Sequence, residues 1–211
     1  MTRKFPQPPS LRRSAPTQRQ RAAIYVVCEG KVTEPRYLDD FYRRLQAKPI
    51  TLARIQGGAG EPLTIVKRCV ELKKELARAN RRSAAPNDQI WAVFDRDEHT
   101  FFDEALRLAA KEGIYLAVSN PCIEVWGLLH HGECDRLMGR AQAQRLLSDI
   151  MPGYHHEKSP YFEWSWCESR IADACANADR GMKKRDEERR PFPTGCPVSN
   201  FHQLLRALQG K

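Results

Sequence analysis

Four short, mostly apolar runs, each followed by residues at helical spacing, constrain this chain more than any other feature. They are Ala22–Cys28, Ile50–Ile55, Gln89–Phe94 and Ile114–Val118. Runs of this length with β-branched content and no polar alternation read as strands covered on both faces. Between them lie apolar stripes. Leu38, Phe41, Tyr42 and Leu45 form one, with Thr33 as its expected cap and Pro35 in its first turn. Ile65, Cys69, Leu72 and Leu76 form a second, and Phe102, Ala105, Leu106 and Ala109 a third, which Gly113 is expected to end. Asn120-Pro121 is expected to open a fourth helix, through about Leu129, with Asn as cap. Strand and helix alternate four times, which predicts an α/β fold built on a mainly parallel, four-stranded, doubly wound sheet flanked by helices.

The pattern bounds three regions. Residues 1–21 hold Arg3, Lys4, Arg12, Arg13, Arg19 and Arg21, no acid and several prolines, and read as a flexible basic arm. Residues 22–131 carry the α/β core. Residues 132–211 read as a helical C-terminal extension packed on that core, with helices near 137–150, 167–187 and 200–209. The aromatic stretch Tyr161, Phe162, Trp164 and Trp166 reads as core.

The formal charge of +9 favours polyanionic partners, nucleic acid first, but much of it sits in the arm, so the folded part is only mildly basic. No stretch approaches a membrane span, and the first residues lack the apolar centre of a signal peptide, so the expectation is a cytoplasmic protein without a membrane partner. Seven cysteines, without a Cys-x-x-Cys pair, read as reduced thiols.

Ligands of an open parallel sheet bind beyond the carboxyl ends of its strands. Glu29 lies at such an end, as do Asp95 and Asp97, and Glu124 lies one turn into the helix after the fourth strand. If strands one, three and four are close neighbours, these acids face one pocket. Mg²⁺ suits carboxylate oxygens and retains positions for water and phosphate. Each piece also has a structural reading: Asp-x-Asp as a solvated turn, Glu-Gly as a turn, Glu124 as a first-turn acid favoured by the helix dipole.

Val27-Cys28-Glu29-Gly30-x-x-Thr33-Glu34, Phe94-Asp95-Arg96-Asp97-x-His99 and Ser119-Asn120-Pro121-Cys122-x-Glu124-x-Trp126 together resemble the RloB-like family of bacterial proteins. Pro197 to Leu205 resembles its closing helix, so the likeness spans roughly residues 22–209. That family is similar to the Toprim domains of primases, topoisomerases and OLD-type nucleases. The resemblance implies a Toprim fold, with Glu29, Asp95 and Asp97 as metal-binding catalytic acids and Glu124 as a further ligand. Glu34 matches a second acid of the OLD-type pattern, and His99 is a supporting candidate. It implies Mg²⁺ or Mn²⁺ as cofactor, DNA or RNA as substrate, and a place in phage defence beside an ATPase subunit. Self-association is left open. Hydrolytic cleavage is favoured, because no tyrosine stands out as a nucleophile. The alternative is a non-catalytic nucleic-acid- or partner-binding module that retains the acidic site. Phosphatase chemistry fits less well, since it expects Asp-x-Asp after the first strand.

Three other features invite chemistry. His130-His131-Gly132-Glu133-Cys134 and His155-His156 offer zinc-type ligands without paired spacing, and read as helix-end and loop residues. Gly57-Gly58-Ala59-Gly60 lacks the Gly-Lys-Ser/Thr ending of a phosphate loop and reads as a turn near the crevice. The charges from Lys183 to Arg190 read as a solvated helix face.

Overall fold

The structure is a computed structural model that describes residues 23–44, 52–58, 60–79, 88–96 and 99–210. The basic arm and Asp97 lie outside the described residues, as does Leu45. The elements run β1 (Ala23–Cys28), α1 (Thr33–Arg44), β2 (Leu52–Gln56), α2 (Pro62–Ala79), β3 (Gln89–Asp95), α3 (Phe102–Glu112), β4 (Tyr115–Asn120) and α4 (Glu124–Leu129). The C-terminal part adds α5 (Arg140–Ile150), α6 (Trp164–Cys167), a 3-10 turn over Glu168–Arg170, α7 (Ile171–Glu187), β5 (Val198–Ser199) and α8 (Phe201–Leu208).

The sheet has five strands in the order β2-β1-β3-β4-β5. Four were expected. The first four are parallel, and the short β5 pairs antiparallel with β4, so the sheet is mixed. Chain order reverses at β1, whose neighbours are β2 on one side and β3 on the other. This places the switch point of the sheet between β1 and β3.

The two-residue period of each strand divides the core. Ile24, Val26 and Cys28 of β1, with Trp91 and Val93 of β3, face α1, α4, α5, α7 and α8. Tyr25 and Val27, with Ile90, Ala92 and Phe94, face α2 and α3. Covered on both sides, the strands have no position for polar alternation, which accounts for the continuous runs. Tyr37 of α1 stands at the centre of the first layer, with the rings of Phe162, Trp164 and Phe201 edge-on to it at 5.7–5.9 Å. Of the aromatic stretch expected as core, Phe162 is buried, Trp164 and Trp166 pack against the core partly buried, and Tyr161 stands outside it.

Local expectations met and failed for identifiable reasons. Gly113 ends α3 in the left-handed region, at φ 63°. Asn120 does not cap a helix. It is the last residue of β4, and its Nδ2 donates to the carbonyls of Pro193, Thr194 and Gly195, so α4 begins only at Glu124. Thr33 donates its hydroxyl to the Pro160 carbonyl at 2.5 Å, which ties the start of α1 to a loop of the tail. Arg185, read as part of a solvated face, is 2% exposed, and its guanidinium binds the Cys196 carbonyl and Glu188. The charge reaches inward because carbonyls and a carboxylate wait for it.

Candidate active site

Glu29 follows the last residue of β1, and its backbone N–H is still held by the Val93 carbonyl of β3 at 2.9 Å. Its carboxylate turns across the switch point, where Oε2 accepts the Asp95 backbone N–H at 3.0 Å. The first acid is thereby latched onto the strand end that carries the second. Asp95 is the last residue of β3 and 4% exposed, and its Oδ2 accepts from the Arg140 guanidinium at 3.1 Å. Arg140 is the first residue of α5, and nothing in the sequence pattern pointed to it.

Two further buried acids belong to this group. Glu34 sits in the first turn of α1 and reaches back to accept the Gly30 N–H at 3.1 Å. Gly30 leaves room for this carboxylate: a Cβ would stand 2.2 Å from Glu34 Oε2, and the buried side chain would have to shift. Glu124, the first residue of α4, is 3% exposed. Its Oε1 accepts the Tyr154 hydroxyl at 2.5 Å and lies 3.4 Å from His156 Nδ1. Its Oε2 is buried without a hydrogen-bond partner among the described residues. His99 Nε2 stands 3.7 Å from Glu29 Oε1.

The acids feel one another. Burial first, then the charges of Glu34, Glu29 and Glu124, hold the Asp95 carboxyl well above the usual carboxylate range, with Arg140 opposing. Burial also raises Glu34. Backbone N–H groups oppose it, and Glu29 and Glu124 add to it. Burial and then Glu124 push the Tyr154 hydroxyl up, so it remains a donor to that carboxylate. A crowd of desolvated carboxylates is unfavourable unless a cation neutralises it. Arg140 does part of this work for Asp95.

The site thus brings together Glu29, Glu34, Asp95, Glu124 and His99. Asp97 lies outside the described residues. Sequence reasoning missed Arg140 and Tyr154 and read His156 as a loop residue; all three are supplied by the C-terminal part. In charge and donor type the acids, with the orphaned Glu124 oxygen, fit a hard divalent cation. Among the described residues, no three His, Cys, Asp or Glu side chains are grouped so as to hold a metal ion. The histidine-rich segments follow the same limit. His130 is buried, placed 3.0 Å from the Tyr37 hydroxyl and 2.9 Å from the Trp126 carbonyl, and burial lowers its pKa to about 4. The seven cysteines are all free. No helix among the described residues is long and apolar enough to cross a membrane.

A family model described as RloB-like protein matches residues 24–208. No curated protein and no solved structure matches the chain.

Proposed function

Because this chain belongs to the RloB-like family, we propose that it is a metal-dependent nuclease with a Toprim-type acidic site. The observation that carries the proposal is the meeting of Glu29 and Asp95 at the carboxyl ends of adjacent parallel strands, at the switch point, with buried Glu34 and Glu124 coupled to them. In this reading Glu29, Asp95 and Asp97 would hold Mg²⁺ or Mn²⁺, with the unpartnered Glu124 oxygen as a further ligand, and Glu34 fixes the Glu-Gly turn. What a bound divalent ion supplies is Lewis-acid polarisation of a phosphodiester. Arg140 orients the phosphate, and His99 stands beside Glu29, its Nε2 3.7 Å from Oε1. The substrate is DNA or RNA. The setting is cytoplasmic phage defence, with an ATPase subunit as partner.

Two observations favour the second reading, a binding module without catalysis. Arg140 already occupies Asp95, and no three described ligands stand at metal spacing. Labelled DNA and RNA incubated with Mg²⁺ or Mn²⁺, against chelator, separate the two readings. The nuclease reading expects cleavage that needs the ion and is lost in Asp95→Asn, together with loss of Mn²⁺ binding by calorimetry. Ion-independent cleavage, or unchanged Mn²⁺ binding in Asp95→Asn, refutes the site assignment. Absence of cleavage with retained nucleic-acid binding selects the binding module.

A further inference from the structure

The glycine pair after β2 has no part in the acidic site, yet its packing is specific. Gly58 N–H donates to the Gly30 carbonyl at 2.9 Å, so the β2 loop lies against the Glu-Gly turn. A Cβ on Gly57 would stand 2.6 Å from that carbonyl and 2.7 Å from Pro35. A Cβ on Gly58, which has φ +78°, would stand 2.7 Å from Cγ of Lys31. The bare backbone therefore makes a bed for the stem of Lys31. On the next turn, the Arg36 guanidinium lies over the Tyr161 ring, 3.7 Å from its centroid. Exposed Lys and Arg side chains usually sample many rotamers, and ordering them costs entropy. Here two cations are held before any ligand arrives.

Both line a cleft of about 470 Å³ that runs along the outer side of α1, bounded also by Pro35, Asp39, Asp40 and Arg43. Asp39 pairs with Arg43 at 3.8 Å. Asp40 is near enough to Cys167 to add to burial in raising that thiol. Among the described residues, neither Lys31 nor Arg36 has a carboxylate within 4 Å. The cleft begins two residues after Glu29. The same helix turns Glu34 inward to the acids and Arg36 outward to the cleft.

We infer that this cleft is a phosphate-binding track for a nucleic-acid strand, in which Lys31 and Arg36 bind backbone phosphates flanking the bond presented to the acids. The inference rests on the nuclease reading for its direction, and on the two held cations for its chemistry. Phosphate contacts position a strand without reading its sequence, and each one releases counterions on binding.

The test is binding by the full chain in chelator, so that no cleavage intervenes. Fluorescence anisotropy is followed across a salt series with labelled single-stranded DNA, single-stranded RNA of the same sequence, and duplex DNA. The double variant K31A/R36A is compared with K67A/K74A on α2, across the sheet. The log–log salt slope of K31A/R36A flattens by about 1.4 on single strands or about 1.8 on duplex DNA. K67A/K74A keeps the wild-type slope. The nucleic acid whose slope flattens by its own full two-contact amount, while the others keep the wild-type slope, is the one the track takes. An unchanged slope in K31A/R36A, equal flattening in the control, or no binding by the wild-type chain overturns the inference. Its failure is separable from failure of the nuclease reading: Asp95→Asn that cleaves like wild type removes the catalytic site and leaves the slope comparison intact.

Discussion

Replacing Arg140 by Gln removes the ion pair that joins α5 to the Asp95 carboxylate at the end of β3. The contact is a single charge-assisted hydrogen bond of 3.1 Å from a guanidinium whose side chain is 40% exposed to a carboxylate whose side chain is 6% exposed. A hydrogen bond to a charged group contributes about 1.5–3 kcal/mol. The exposed half of the pair is screened, which lowers the expectation to about 1–1.5 kcal/mol. In a domain of this size that is a fall in melting temperature of roughly 2–6 °C. The pH dependence has a definite sign. The pair exists only while Asp95 is ionised, and Asp95 titrates well above the usual carboxylate range. The cost of Arg140→Gln is therefore full on the alkaline side of that raised pKa and fades as pH falls through it, before ordinary carboxylates protonate. Denaturant melts of wild type, Arg140→Gln, Asp95→Asn and the double variant, run from about pH 8 to about pH 5, give the pair's coupling energy as a cycle. A coupling indistinguishable from zero at the alkaline end, or one that does not change with pH, refutes the reasoning.

Two further perturbations follow from the same geometry. Gly30→Ala drives a methyl into the Glu34 carboxylate, 2.2 Å away, and costs about 1–3 kcal/mol by overpacking. Thermal melts should show this loss in the wild-type background and little of it beside Glu34→Ala; equal losses in both would mean that Glu34 is not what Gly30 makes room for. His130 is held neutral, with a pKa lowered to about 4 by burial. The unfolded chain then binds the extra proton first, so stability falls as pH drops from the ordinary histidine range of about 6.5 towards about 4. His130→Gln should remove up to about 1.4 kcal/mol per pH unit of that slope, and an NMR titration that protonates His130 above pH ~6 would contradict it.

How far the fold could be read from residues depended on how locally each feature is determined. β1 and β3 were legible because burial on both faces leaves an unbroken apolar run, and Glu29 and Asp95 were legible because they end those runs. Arg140, Tyr154 and His156 were not. Each comes from the tail, and only the packing of α5 and the loop after it against α4 returns them to the acids. β5 is two residues long, too short to show any period. Asn120 and Thr33 carried real capping chemistry, but distant carbonyls at 193–195 and at Pro160 claimed their side chains instead. Gly30 was read as a turn residue, when the constraint on it is the carboxylate of Glu34. For Asn120 and Thr33, a partner far along the chain outbid the local one.

The antiparallel β5 has a consequence for how the molecule comes into being. Val118 N–H and the Leu116 carbonyl, main-chain groups on the outer edge of β4, are satisfied by the side chain of Asn200. Ser119 meets Ser199 across a separation of 80 residues. At translation rates of about 5–20 residues per second, the edge of β4 waits on the order of 4–16 s for the segment that closes it. An open edge is a template for any passing strand. A nascent chain of this protein thus spends seconds with its sheet ready to pair with a neighbour on the same message, and the hook of Val198–Asn200 ends that interval.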